Sequence, residues 1–475
     1  MTKNYNPWRI LSALCIGFFL VMVDQTIVAV ATPDIKTALD ADYNQTIWFT
    51  SAYLLTFCAP LLLSGRLGSY LGLRKLFISG VSIFTLGSLL CALSHTPLQL
   101  ILARAIQGLG AALILPQSMT IIAHVFPAHQ RGKAMGIWGA VAGVGSLIGP
   151  LAGGAILEWT SWHWIFLVNV PVGIIAVILT ARWVPALTPD PTHSSQAMDI
   201  PGSLLSILGL GLTVYGLQEG EVRDWDSTTA LIIASGIAIL GLFIYAETKV
   251  SHPLLPLRLF RYKNFGKTAI AITTMGFGIT GFAVPFMLYA QSIRHWSPIE
   301  SGLLLLPMAL AAAILAPVVG KLIDAHHPAL ITLIGYSAMS LGSFALGALL
   351  DIDTSLVLLI GVLVVLGIGN AFVWAPTSAV ALRNVPQEDA GIGSGVYNTF
   401  RQLGAVIGSA ATGALMQNRL AHVADTPQGT PPDIAPDMAI IVHNSARAFG
   451  ESIYLSAAVF LIGIAAAALL RKSSA

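Results

Sequence analysis

The stretch WRILSALCIGFFLVMVDQTIVAVA, Trp8 to Ala31, decides how this chain is read. It is long enough to cross a bilayer core about 30 Å thick, which takes about 20 apolar residues in a helix. One formal charge, Asp24, sits deep inside it. A carboxylate at that depth costs about 2.5–3.5 kcal/mol on insertion scales, so it faces a cavity or a partner and marks an ion or substrate path. Outward from this run the same texture continues: 55% of the 475 residues are hydrophobic and 10% are charged. Soluble domains carry about 25% charged residues, so the composition excludes an ordinary soluble enzyme.

Fourteen segments of this kind can be drawn, at residues 8–31, 46–64, 74–94, 98–124, 133–157, 163–183, 200–218, 227–246, 267–292, 301–323, 329–349, 355–382, 391–417 and 451–470. Each is expected to be helical, because lipid offers backbone polar groups no other partner. Besides Asp24, only Arg104 and Arg401 put a formal charge into the interior of a segment. With the N-terminus inside, 17 of the 24 Lys and Arg residues fall in cytoplasmic loops or tails. Lys36, Arg223, Arg294, Arg419 and Arg447 fall outside, where Asp34, Asp40, Asp42, Glu219, Glu221, Asp224 and Asp226 gather. That is the positive-inside asymmetry, and moving one span would destroy it. The net charge of +2 therefore conceals sidedness, and no basic cluster with interleaved aromatics points to nucleic acid. Cys15, Cys58 and Cys91 all lie within spans and read as small buried apolar residues.

The spans divide as six, two and six, giving an all-α polytopic membrane protein. The expected parts are residues 1–184, a first six-helix bundle; 185–250, a cytoplasmic linker and two extra helices; 251–266, an interfacial linker; and 267–475, a second six-helix bundle. The interfacial linker, Ser251–Phe265, alternates leucines with Arg258, Arg261 and Lys263, which suits the surface of an anionic bilayer. GRLGSYLG (Gly65–Gly72) and GKLIDAHH (Gly320–His327) follow the second span of each six-span block. Weak internal repetition of this sort marks transporters built from related halves.

Six further stretches carry a resemblance. They are DQTIVAVATP (Asp24–Pro33), WFTSAYLL (Trp48–Leu55), LARAIQGLGAA (Leu102–Ala112), GSLIGPLAGG (Gly145–Gly154), SWHWIFLVNVPVG (Ser161–Gly173) and NTFRQLG (Asn398–Gly404). In this order and on these spans, the chain resembles the fourteen-helix drug:proton antiporters of the major facilitator superfamily, the EmrB/QacA-like multidrug exporters. Three positions depart from that pattern: Ser69 stands where the family carries Asp, His163 where it carries Arg, and Ala29 where it carries Asn. The resemblance implies a major facilitator fold of fourteen transmembrane helices, two six-helix bundles plus two additional central helices. It implies a monomer in the bacterial inner membrane, with both termini cytoplasmic and lipids around it. It leaves open a periplasmic adaptor.

Asp24 can alternate between neutral and ionised forms, since desolvation favours the first and a neighbouring cation the second. Arg104 keeps its proton and serves as the fixed counter-charge, with Gln107 one turn on and on the same face. Gly145, Gly149 and Gly153, beside Pro150 and Gly154, allow close helix approach and a bend. Gly65, Arg66, Ser69, Gly72, Arg74 and Lys75 are expected to form a basic turn latching the two halves at the inner face. Tyr53, Phe57, Gln107, Trp138, Tyr289, Asn370, Trp374, Asn398 and Arg401 are the candidates for lining a central cavity. The expected activity is efflux of hydrophobic, cationic drugs or toxic compounds by alternating access, with the proton gradient as energy source and no cofactor or metal. The rival cargo is a lipid, a metabolite or an endogenous antibiotic. An enzyme would need a nucleophile–base or metal constellation, and the sequence offers none.

Overall fold

The computed structural model describes residues 5–470 except 42, 187–198, 221–222, 224, 251–252, 263, 326–327, 384, 387–388 and 425–437. Every regular element among them is helical. The first half contains α1 (Pro7–Ala38), α2 (Tyr43–Cys58), α3 (Leu61–Leu71), α4 (Leu73–Ala92), α5 (Pro97–Val125), α6 (Ala128–Trp159), α7 (His163–Leu167) and α8 (Asn169–Trp183). Then come α9 (Ile200–Gly220) and α10 (Ser227–Glu247), followed by a 3₁₀ turn at Leu257–Arg261. The second half contains α11 (Phe265–Leu288) with a π turn at Tyr289–Ile293, α12 (Pro298–Leu304), α13 (Leu306–Ala325), α14 (Pro328–Leu349), α15 (Leu356–Arg383), α16 (Ala390–Ala424) and α17 (Met438–Ala468).

Local chemistry sets several of these ends. Asn6 accepts the Trp8 N–H at 3.0 Å and Pro7 opens α1, so a donor without an intrahelical partner is satisfied. Ser297 and Glu300 form a reciprocal capping box at the start of α12. Pro60 interrupts the second span: α2 and α3 meet at 48°.

Twelve helices among the described residues are long and apolar enough to cross a membrane, and α2 with α3 makes a thirteenth. The helix α16 is less apolar, and one of its faces, Gly391, Ser394 and Gly395, is spent on the first half of the molecule. Two boundaries differ from the sequence reading. The last helix starts at Met438 instead of residue 451, so much of the expected outer loop is helix; its centre lies outside the described residues. The basic turn at Gly65–Lys75 is helical on both sides, with Gly72 alone (φ 88°) as the link. Only glycine adopts that φ without strain.

The halves meet along two seams, α3 against α16 and α6 against α13. At the end of the bundle that carries Arg66, Arg74, Arg131 and Lys133, both seams close backbone to backbone. A Cβ placed on Gly65 would lie 2.6 Å from the Gly391 carbonyl oxygen and 2.9 Å from the Gly395 Cα. Nearby, Ser394 on α16 donates to the Pro116 carbonyl at 2.8 Å and shares a 2.7 Å bond with Thr120. Gly65→Ala therefore overpacks this seam, at a cost of about 1–3 kcal/mol, borne only while this end is shut. We expect alkylation of Ser394→Cys, in a background without the native cysteines, to speed up about fivefold or more on adding Gly65→Ala. An unchanged rate would mean that the seam does not open.

Helix α9 fills the groove between α2 and α16, with Val214 packed against Cys58 and Val406. Helix α10 lies outside it. On the interfacial linker, Leu254, Leu255 and Leu259 are buried in the protein while Leu257 and Phe260 stay exposed. Arg258 pairs with the buried Asp389 at 2.9 Å, tying this linker to the turn before α16. Lys263, His326 and His327 lie outside the described residues.

Candidate functional site

Asp24 sits on α1, in the middle of the first half, and is completely buried. Its Oδ2 accepts from Arg104 Nη1 at 2.6 Å. Its Oδ1 accepts from Gln107 Nε2 at 2.7 Å and from Asn169 Nδ2 at 3.4 Å. Arg104 and Gln107, three residues apart on α5, present the same face, as their spacing requires. The guanidinium also donates from Nε to the Phe49 carbonyl at 2.9 Å and from Nη1 to Gln107 Oε1 at 2.6 Å.

A second layer holds the first. Ser88 on α4 accepts from Gln107 at 3.2 Å and from Asn169 at 3.0 Å, and donates to the Phe166 carbonyl at 3.0 Å. The Arg104 guanidinium carbon lies 4.3 Å from the centre of the Tyr53 ring. Five spans thus converge on one carboxylate. Thr26 turns away from it and bonds the Val23 carbonyl at 3.1 Å.

A buried ion pair of this sort is held by geometry: desolvating two charges is expensive, and only saturated hydrogen bonding offsets it. Taking up a proton would remove the Coulomb attraction between α1 and α5 and leave Arg104 to the Phe49 carbonyl, Gln107 and the Tyr53 ring. The arrangement can therefore convert protonation of one oxygen into a change in how two helices are tied.

The glycine row of α6 backs this cluster. Gly145 approaches Met22, Gly149 approaches Val23, Thr26 and Ile27, and Gly153 approaches Ile27, all on α1 around Asp24. Gly154 instead faces Ile299 on α12, and Pro150 faces Gly302 on the same helix, so these two belong to the seam between halves. A Cβ on Gly149 would overlap Thr26 Oγ1 and lie 2.8 Å from the Val23 carbonyl oxygen and 3.0 Å from the Ile27 nitrogen. Backbone cannot swing aside as a side chain can. Gly149→Ala is expected to lower stability by about 1–3 kcal/mol. Gly143→Ala, whose Cβ would first meet Ala312 at 3.9 Å, should stay within about 0.5 kcal/mol of wild type. Thermal unfolding of the purified variants separates the two, and equal losses would refute the close-packing reading.

The remaining candidates divide. Tyr53, Phe57, Trp374, Tyr397 and Arg401 gather where α2, α15 and α16 approach one another. Asn370 and Trp374 line a void of about 10 Å³ against Gly139 and Ala312, room for one water at most. Trp138 is in the core of the first half, bonded to Ser118 at 3.1 Å and stacked on Phe18 at 4.1 Å. Tyr289 ends on the Asp351 carbonyl at 2.6 Å, at the turn before α15. Neither is brought to the Arg401 group. At the basic end, Arg74 donates to the Ala181 carbonyl, Arg66 reaches Tyr70 at 3.4 Å, Ser69 approaches Gly391, and Lys75 is exposed. Ser88 and Asn169 are absent from the sequence-derived set; Asn169 lies inside the Ser161–Gly173 stretch already singled out.

An all-helical, multi-pass membrane protein with a charge cluster sealed among its spans is a transporter in class. The profile of the Major Facilitator Superfamily matches residues 14–409, and the chain belongs to that superfamily, whose members are transporters rather than enzymes. It is 40% identical, over 98% of its length and 81% of the relative's, to an uncharacterized MFS-type transporter, Rv1250, of Mycobacterium tuberculosis. It is 34% identical to the riboflavin transporter RibZ of Clostridioides difficile, over 85% of this chain and 87% of that one. The multidrug resistance protein Stp of Mycobacterium tuberculosis is 32% identical, over 87% of this chain and 76% of its own.

Proposed function

We propose that this chain is a proton-coupled exporter of hydrophobic, cationic drug-like compounds, working by alternating access. It belongs on this reading to the fourteen-helix branch of the superfamily, with α16 as the remaining span and α9 and α10 as the two extra helices. Residues 1–184 and 267–475 form the moving bundles, and both termini face the cytoplasm of a bacterial inner membrane. The observation that carries the reading is the Asp24–Arg104 pair: one titratable acid, fully buried, on a scaffold that holds every oxygen. An ionisable residue in such a place is by default a functional site, and proton exchange is the use its chemistry fits. One proton exchanged for one monovalent cation moves no net charge, so the pH gradient drives export, at about 1.4 kcal/mol per pH unit. The multidrug relative supports the cargo class. The riboflavin transporter supports a second one, a metabolite in the same fold.

The test loads proteoliposomes with a fluorescent lipophilic cation and imposes a pH gradient in either direction. Efflux that follows the gradient, and stops when a proton ionophore collapses it, supports the proposal. Efflux indifferent to both would remove proton coupling.

A further inference from the structure

Arg401, on α16, is 7% exposed, and its Nε and Nη2 have no hydrogen-bond partner. Among the described residues no carboxylate pairs with it, and no backbone carbonyl takes these two donors. They are the two nitrogens of one guanidinium edge, the fork that holds both oxygens of a carboxylate. One face of the guanidinium is covered by the Trp374 ring at 5.6 Å. Unmet charged donors at that burial are costly. Inside a bundle such donors are a candidate ligand-binding group.

The neighbourhood has the same character. Tyr53 and Tyr397 lie within electrostatic reach of Arg401. The Tyr53 hydroxyl is completely buried, and its one side-chain neighbour within hydrogen-bond reach among the described residues is Gln25 on α1, which leaves the hydroxyl proton free to be donated. Asn398, one turn before Arg401, is not one of these donors: its amide nitrogen is spent on the Ser394 carbonyl at 2.9 Å, and its unmet Oδ1 is an acceptor. Donors available to a ligand on α2 and α16 thus come from both halves. At Asp24 the opposite holds, since its oxygens are already occupied by protein donors.

The geometry points to an oxyanion subsite at Arg401 and Tyr53, which takes the carboxylate end of a hydrophobic cargo. This rests on the export reading and widens its cargo: beside cations, zwitterionic and anionic amphipathic compounds are accepted, with Trp374 and Phe57 against the apolar part. The subsite is closed here and fills when the halves part.

Two pyrene probes of one shape test it: 1-pyrenebutyrate, and its neutral amide. Binding to the purified full-length protein in phosphatidylcholine nanodiscs is read by energy transfer from tryptophan to pyrene. Wild type is expected to bind the carboxylate about tenfold or more tightly than the amide. Arg401→Gln should erase that preference, and Arg401→Lys should restore part of it, because ammonium keeps the charge and loses the fork. Equal affinities in wild type overturn the inference, whatever becomes of the variants. A preference that survives in folded Arg401→Gln overturns it too, as does displacement of the probe by phosphatidylglycerol at equal dose, which would make the occupant a lipid. No pH gradient enters this measurement. A carboxylate preference without gradient-driven flux removes proton coupling alone, and gradient-driven flux without the preference removes the oxyanion subsite alone.

Discussion

Asp24→Asn is expected to reduce pH-gradient-driven efflux to the level of empty liposomes, while counterflow, which needs no gradient, persists. The amide keeps the size of the carboxylate and cannot release a proton at working pH. It also cannot satisfy the site. Arg104 Nη1 faces one oxygen at 2.6 Å, and Gln107 and Asn169 face the other at 2.7 and 3.4 Å. Whichever way the amide turns, its nitrogen meets a donor. The variant therefore mimics the protonated protein in charge, with one lost hydrogen bond, a penalty of about 1–3 kcal/mol. Efflux at the wild-type rate would remove Asp24 from coupling. Loss of counterflow as well would make the residue a structural tie.

Much of this cluster is legible in the sequence, for a specific reason. A formal charge inside a hydrocarbon span has few harmless explanations, so Asp24, Arg104 and Arg401 announce themselves. Gln107 follows from Arg104 by helical spacing alone. Ser88 and Asn169 carry no such signal. A single neutral polar residue in a span is cheap, since a serine can bond its own helix, as Ser118 does with the Leu115 carbonyl. Only the fold reveals that Ser88 instead bridges Gln107, Asn169 and Phe166 across three other helices.

The glycine row of α6 illustrates the other limit. Its four-residue period predicts close packing, which holds, but periodicity does not name the partner. The structure sends Gly145, Gly149 and Gly153 to α1 and Gly154 to α12. Similarly, aromatic residues in mid-span are not told apart by sequence. Tyr53 leans on Arg104, whereas Trp138 fills a core and Tyr289 closes a turn. The apolar run that marks the last span begins at residue 451, whereas α17 begins at Met438 and carries Arg447 on its first turns. A helix that runs past the bilayer accepts charge freely on its exposed end.

Arg104→Gln is expected to cost about 3–5 kcal/mol of stability, because it leaves a buried carboxylate without its counter-charge. Arg104→Gln combined with Asp24→Asn should recover most of that loss, since two amides of similar shape can hydrogen-bond without desolvating any charge. The coupling between the two positions, measured as the deviation from additivity in thermal unfolding of purified protein, should then exceed about 1 kcal/mol, the range of residues in direct contact. Such rescue would identify electrostatic compensation as what Arg104 gives the fold. Gradient-driven efflux would still fail in the double variant, because no titratable group remains in the pair. An additive double variant would point elsewhere: to the Phe49 carbonyl and the Tyr53 ring, which Arg104 also holds. In that case the residue would be a brace between α5 and α2 more than a counter-charge, and the trigger that loosens α1 from α5 on protonation would have to lie in Gln107.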